Sequence, residues 1–462
     1  MTPISIHAEA SNKHTSVGLN GEVYVDLTFA SEPLGLPGQE GYGWPQLDFD
    51  EAIGPENRYV ICRKLGWGMS SSTWLARDKM DNSYVALKIL NGFHTELVER
   101  GRVWELEALQ RISSSPLMHC LQLMSHFTLP GKGTAGQHLC LVTKVLGGDV
   151  KSLFEKHGIF PFPLAKRIIL HLLRGIAHAH SRGVMHTDLK HNNIFFDTPI
   201  SMDDFDKLLM SDPPRRHVPE ASHDGLVEAT VSQPLPIPTL QEAMQRTFVV
   251  ADFGHAQLIE NHTENKISPP LLCPPEIIIG GPWTYDHILG IMTDQCTLDA
   301  NGNLKSSSKV NVYHDADDDV PMEGPEAAPK PEISDIWTFG CLIFELITGR
   351  ALFKYELDPK LNLDEPNHIL YQMLCYTCKD IRAQQLMVSA LADQFFDTNC
   401  NLKAIPRLMD YPFEISIRSY KVIEEADVLS TAALMLRCLR LDPAQRASAD
   451  ELLSDPWFNG VE

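Results

Sequence analysis

The sequence predicts an α+β chain in two lobes, a bilobal fold in which a small antiparallel β-sheet with one helix precedes a larger, mainly helical lobe. Three observations carry that expectation. Residues 58–76 alternate as strand, turn at Gly66-Trp67-Gly68 and resume as strand, which is a hairpin. Short apolar strands follow at 84–90 and 138–148, with a helical stretch between them. From residue 164 apolar positions fall at 164, 168, 169, 172, 173 and 176, a helical period, and 334–349 is apolar nearly all round, as a central helix must be. The boundaries expected are a flexible tail and lead-in over 1–57, the sheet lobe over 58–146, and the helical lobe over 147–462 with insertions at about 197–246 and 285–332.

At 462 residues and 44% hydrophobic content the chain can bury a sizeable core. Lys plus Arg number 39 against 60 Asp plus Glu, a formal charge of −21. That balance argues against non-specific binding to nucleic acid or anionic lipid and favours a basic partner. The ten cysteines are scattered, the polar N-terminus has no secretory pattern, and no run approaches the ~18 apolar residues of a membrane span. The expected setting is therefore reducing and intracellular, cytoplasmic or nuclear, with no membrane partner. Cys375 and Cys378 form a single C-x-x-C without a second ligand pair, an ordinary core feature and not a metal site.

In chain order, residues 1–40 mix Ser, Thr, Gly, Pro and charge without period and read as a tail, and 41–50 as a lead-in that packs on the first lobe. In the hairpin, Gly66 and Gly68 let the backbone approach phosphate oxygens closely, although two glycines alone usually make only a turn. Lys88 is the one charge in the strand 84–90, where a lysine would ordinarily snorkel at an edge. A helix is expected over 95–112 with Glu105 and Glu107 in its middle. Either can be the acid that faces Lys88; the spacing to Leu109 and Ile112 favours Glu105.

The stretch Val184-Met-His-Thr-Asp-Leu-Lys-His-Asn-Asn-Ile-Phe-Phe196 places a carboxylate, an ammonium and a carboxamide on one short loop between an apolar helix and an apolar strand. Phosphoryl transfer needs that set: Asp188 to accept a hydroxyl proton, Lys190 to neutralise the group in transit, and Asn193 to hold Mg²⁺. His186 can brace the loop from behind. Asp252, at the end of the apolar strand 248–251, is a second candidate oxygen ligand for Mg²⁺. The run 197–246 is too long for a loop inside a compact domain and reads as an insertion, with 202–209 and 239–244 as short helices docking it on the surface. Residues 285–332 carry Asp315-Ala-Asp-Asp-Asp319 and a Pro-Glu-Ala tract, too polar to offset the cost of ordering; a sharper reading is an acidic tether for an Arg-rich substrate. His171, His178 and His180 read as solvated or core-edge histidines, not metal ligands.

The pattern H-x-D-L-K-x-x-N resembles the catalytic loop of the protein-kinase family, and the family's other parts follow in order over roughly 58–458. They are the Gly hairpin, Lys88 in Val-Ala-Leu-Lys, the helix glutamate, Asp252-Phe-Gly254, Leu272-Cys-Pro-Pro-Glu276, Asp335 in D-x-W-x-x-G, and Arg446. The resemblance implies that Lys88 pairs with the helix glutamate, Glu105 or Glu107, and with the α/β-phosphates, that Glu276 pairs with Arg446, and that Asp335 accepts backbone hydrogen bonds from the catalytic loop. It makes Thr143 the gatekeeper and 144–146 the hinge that hydrogen-bonds adenine, with Leu65, Gly66, Gly68, Thr73, Ala86, Val145, Leu146 and Phe195 bordering the nucleotide. Ser71 replaces the third glycine, Thr73 the usual Val, and Thr187 the Arg of H-R-D, the last implying activity that does not wait for phosphorylation. Lys64-Leu-Gly-Trp-Gly68, Val145-Leu-Gly147 and His-Thr-Asp-Leu-Lys resemble the SR-protein kinases, while His191-Asn192 departs from that family's Pro-Glu.

What the resemblance implies is a serine/threonine kinase using ATP and Mg²⁺ on basic, Arg/Ser-rich proteins, acting as a monomer without direct contact to nucleic acid. A pseudokinase scaffold is the alternative, and Lys88, Asp188, Asn193 and Asp252 all stand against it. A small-molecule phosphotransferase would lack both the P-P-E and the terminal Arg.

Overall fold

A computed structural model describes residues 12–17, 23–261, 270–281, 333–356, 363–377, 381–405 and 408–462. The second expected insertion and Cys378 lie outside the described residues. The chain divides into two compact units, Met1–Gly158 with His191–Gln257, and Ile159–Lys190 with Leu258–Glu462.

In the first unit a hairpin of β1 (Lys13–Val17) and β2 (Val23–Leu27) precedes a six-stranded antiparallel sheet. Its strands are β3 (Ala52–Ile53), β4 (Tyr59–Trp67), β5 (Ser71–Asp78), β6 (Ser83–Leu90), β7 (Leu123–Pro130) and β8 (Gln137–Lys144), in the order β3-β4-β5-β6-β8-β7. Directly paired residues share a face, so the registers Thr73↔Lys88 and Ala86↔Thr143 put Thr73, Ala86, Lys88 and Thr143 on one side. The opposite side, Trp74, Ala76, Val85, Leu87, Ile89, Cys140 and Val142, closes a core with Tyr59, Ile61 and Leu47.

The helix expected over 95–112 is two helices, α1 (Gly92–Glu99) and α2 (Glu105–Ser113). Gly101 between them takes φ +64°, a conformation outside the right-handed helix, and the chain turns there. Next come β9 (Leu146–Asp149) and α3 (Val150–His157); α4 (Phe162–Ser181) and β10 (Val184–Met185) fall in or begin the second unit's share of the chain. A three-stranded sheet then pairs β11 (Ile194–Asp197) with β9 on one side and with β14 (Phe248–Val250) on the other.

Between β11 and β14 the insertion is folded. Ser201 caps α5 (Met202–Ser211), and a Thr239/Glu242 capping box starts α6 (Leu240–Ala243), with a hairpin of β12 (Glu220–Ser222) and β13 (Gly225–Val227) between them. Phe205 of α5 and Leu235 bury against Leu75, and the Tyr84 hydroxyl donates to Asp206 at 2.6 Å. Residues 31–40, expected as a flexible tail, are packed, and the lead-in that follows packs as its sequence predicts. Leu34 and Trp44 form a small core with Val227 and Ala229, and Asn12 exchanges hydrogen bonds with the backbone of Ala221 at 2.9 and 3.0 Å. The partners lie some 190 positions away, as with the Ala30 amide and Glu220, so no local pattern announces the order.

The second unit is helical. Besides α4 it contains α7 (Pro275–Ile278), α8 (Ile333–Thr348), α9 (Glu365–Thr377), α10 (Ala383–Met387), α11 (Ala392–Phe395), α12 (Phe413–Tyr420), α13 (Glu425–Cys438) and α14 (Ala449–Leu453). As its sequence predicts, α8 is central: Ile336, Trp337, Phe339, Leu342, Ile343 and Leu346 are all buried, and it packs on α4, α12 and α13. Gly340 makes the close approach to α13 possible, because a Cβ there would lie 2.7 Å from Cys438 and from Leu439. Among the described residues no helix is long and apolar enough to cross a membrane.

Candidate active site

In the first unit, Lys88 leaves β6 on the face that also carries Thr73, Ala86 and Thr143. Its Nζ donates to Glu105 Oε1 at 2.5 Å and to Asp252 Oδ1 at 2.7 Å. The Glu105 carboxylate is buried, whereas that of Asp252 is 43% exposed. Burial alone would lower the Lys88 ammonium, but the adjacent charges of Asp252 and Glu105 outweigh it and hold the group above its ordinary value. Of the two acids considered, Glu105 opens α2 and faces Lys88, while Glu107 points to solvent and pairs with Arg111 four residues on, at 2.6 Å.

Strand register explains how Asn193 and Asp252 come together. Since β11 and β14 are antiparallel with Ile194 opposite Val250, the residue before one and those after the other leave the ladder at the same end. The Ala251 amide donates to the Asn193 carbonyl at 2.9 Å. Asp252 then takes φ +60°, a strained left-handed turn for a residue with a side chain, and its carboxylate comes round to Lys88.

Gly66 pairs with Thr73, and the Gly68 amide closes the hairpin onto the Ser71 carbonyl at 2.9 Å. A Cβ on either glycine would meet nothing within 4 Å, so their backbones face open space. Ala86 and Thr143 are buried, Val145 links β8 to Leu146 at the start of β9, and Phe195 of β11 pairs with Val249 and Asp149. Leu65 and Val145 also pack against the cluster built by α5. His191 is half-buried in the turn before β11, and its desolvation pushes the imidazole down to about 4.

The second unit holds Asp188 and Lys190. The Lys190 ammonium donates to Asp188 Oδ2 at 2.7 Å, and the Asp188 amide donates to His186 Nδ1 at 3.2 Å. Asp335, at the start of α8, accepts the amides of His186 and Thr187, both at 2.8 Å, so the loop hangs from one carboxylate. Thr187 sits at φ +61°. Burial would raise the Asp335 carboxyl, but the hydrogen bond and charge of His180, with the His186 charge and amide, hold it below the ordinary carboxylate range. The His180–Asp335 contact at 3.0 Å was not legible in the sequence, where His180 reads as a core-edge residue; its partner lies 155 positions away. Arg446 grips Glu276 with two bonds of 2.6 Å, and its guanidinium lies 5.0 Å from the Trp337 ring centre.

Comparison with known proteins agrees with this arrangement. The family model "Protein kinase domain" matches residues 59–218. Serine/threonine-protein kinase SKY1 of Saccharomyces cerevisiae is 37% identical over 153 residues, 30% of this chain and 20% of that protein. Protein kinase dsk1 of Schizosaccharomyces pombe is 24% identical over 87% of this chain and 81% of its own. Serine/threonine-protein kinase SRPK of Physarum polycephalum is 24% identical over 94% and 93%. The crystal structure of the PF14_0431 kinase domain superposes with a TM-score of 0.54 over 89% of this chain and 98% of its own, at 17% identity, a likeness of fold. Over residues 59–218 the chain matches the protein kinase family, and over most of its length it is similar to kinases of that family. Its resemblance within that family runs to the SR-protein kinases, and its class is serine/threonine protein kinase.

Proposed function

We propose that the chain transfers the γ-phosphoryl group of ATP, with Mg²⁺, to Ser or Thr hydroxyls of Arg/Ser-rich proteins. The observation that carries this is the Lys88 ammonium held between Glu105 and Asp252 beside an open glycine hairpin. An intact pair of this kind favours turnover over a scaffold without it. The oxygen donors of Asp252 and Asn193 suit a hard cation such as Mg²⁺, which bound there would neutralise phosphate charge. Lys88 orients the α/β-phosphates, Gly66 and Gly68 admit them, and Leu65, Thr73, Ala86, Thr143, Val145, Leu146 and Phe195 border the nucleotide. Asp188 takes the proton of the acceptor hydroxyl, and Lys190 offsets charge on the group in transit. The formal charge of −21 favours a basic substrate. The catalyst in this reading is a monomer in the cytoplasm or nucleus, with 58–146 as its sheet lobe and 147–462 as its helical lobe.

The test is radiolabelled ATP with an Arg-Ser repeat peptide against a basic peptide of the same charge lacking serine-arginine order. Wild type is expected to label the repeat peptide selectively, and Asp188→Ala to lose about 10²–10⁴-fold in rate while still binding nucleotide. Equal rates for wild type and Asp188→Ala would remove the catalytic assignment, and equal labelling of both peptides the substrate class.

A further inference from the structure

The geometry points to residues 31–44, from the end of the tail into the lead-in, as part of the nucleotide-binding apparatus: Trp44 and Glu32 are positioning residues that hold the tip of the glycine hairpin. This rests on the reading of that hairpin as the phosphate cradle. Gly66 and Gly68 contribute no side chains, so the tip is by itself a segment with many accessible conformations. Between them stands Trp67, 46% exposed, and two contacts fix its ring. Trp44 meets it edge-on, with centroids 5.7 Å apart and planes at 86°. The Lys64 ammonium lies 5.8 Å from the same ring.

Both contacts are anchored outside the hairpin. Trp44 is buried with Leu34, Val227 and Ala229, a core shared by the lead-in and the insertion. Lys64 is fully buried and is fixed by Glu32, by Ser31 Oγ at 2.9 Å and by the Thr230 carbonyl at 3.2 Å. The insertion also grips the neighbouring backbone, through the Gln233 amide on the Lys64 carbonyl at 2.9 Å and Asp212 on Arg63 at 2.7 Å. The base of the cradle is therefore clasped by two segments remote in sequence, and its tip leans on Trp44. A tip ordered in advance loses less freedom when nucleotide arrives, so the contact acts on ATP affinity and not on capture of the protein substrate.

The experiment compares wild type, Trp44→Leu, Trp44→Phe, Trp67→Ala and the Trp44→Leu/Trp67→Ala double variant for KM of ATP, KM of the peptide and calorimetric ATP binding. Leu refills the apolar slot without a ring edge, so folding is maintained while the contact is lost. Trp44→Leu is expected to raise KM and Kd for ATP about two- to tenfold, the scale of one edge-on aromatic contact, with peptide KM unchanged. Trp44→Phe should restore values near wild type, and the double variant should be no worse than Trp67→Ala alone. A Trp44→Leu enzyme with wild-type ATP values, a rise shared equally by peptide KM, or additive effects in the double variant would each overturn the inference. A wild type that transfers no phosphoryl group would instead defeat the functional reading beneath it.

Discussion

Glu276 and Arg446 stand 170 positions apart in the chain and meet through two parallel hydrogen bonds of 2.6 Å, with both side chains buried. Removing one partner leaves the other charge stranded in the core. Arg446→Met is expected to cost about 3–5 kcal/mol, and the Glu276→Leu/Arg446→Met double variant to recover most of the loss, since a matched apolar pair avoids desolvation. Thermal melting of the two proteins checks this; a double variant no better than the single would contradict it.

Lys88 serves two carboxylates at once, so its substitution should be felt in turnover more than in folding. Lys88→Met is expected to lower kcat about 10²–10³-fold, and Lys88→Arg should not rescue it, because a planar guanidinium cannot replace a point charge between Glu105 and Asp252. Glu105→Gln should impair transfer, whereas Glu107→Gln, which touches only a solvent-facing i,i+4 pair, should change stability by less than ~0.5 kcal/mol and leave kcat unaltered. Matched kinetics for the two Gln variants would decide against the assignment of Glu105.

Asp335 links pH to the stability of the catalytic loop. Its folded carboxyl lies below the ~3.9 of an unfolded chain, so its contribution is complete above that value and is lost as pH falls through the folded one. Asp335→Asn retains one acceptor and turns an amide donor toward the other backbone donor, costing about 1.5–3 kcal/mol per lost charged hydrogen bond at pH 7. Melting curves should show the gap between wild type and variant narrowing below pH 4. A gap constant from pH 7 to pH 3 would rule the linkage out.

Gly340 permits contact between α8 and α13, and a methyl group there would enter the volume of Cys438 and Leu439. Gly340→Ala is expected to cost about 1–3 kcal/mol through overpacking, despite Ala's better helix propensity. An unchanged or higher melting temperature would show that the helices part freely.

Where function demands particular residue types at short spacing, the sequence was readable. The glycine hairpin, Lys88 on its strand, Asp252 after an apolar strand and Asp335 at the head of an apolar helix are each local patterns, and the antiparallel sheet and central helix follow from periods of two and 3.6 residues. Three features escaped. Gly101 splits a helix whose apolar positions continue in phase across the break, so periodicity could not see it. His180 owes its partner to tertiary folding. Residues 31–40 have the composition of a tail, yet Leu34 is buried beside Trp44 of the lead-in by Val227 and Ala229 of the insertion. Each of those two segments offers too little apolar surface alone, and only their meeting creates a core.

That mutual dependence bears on where the protein can be cut. A fragment starting at Arg58, where the strand alternation begins, would strip Lys64 of its counter-charge and leave an uncompensated ammonium at the root of the hairpin. It would also bare the apolar side of the β12–β13 hairpin to water. The smallest autonomous version of this enzyme therefore begins well upstream of its first recognisable motif.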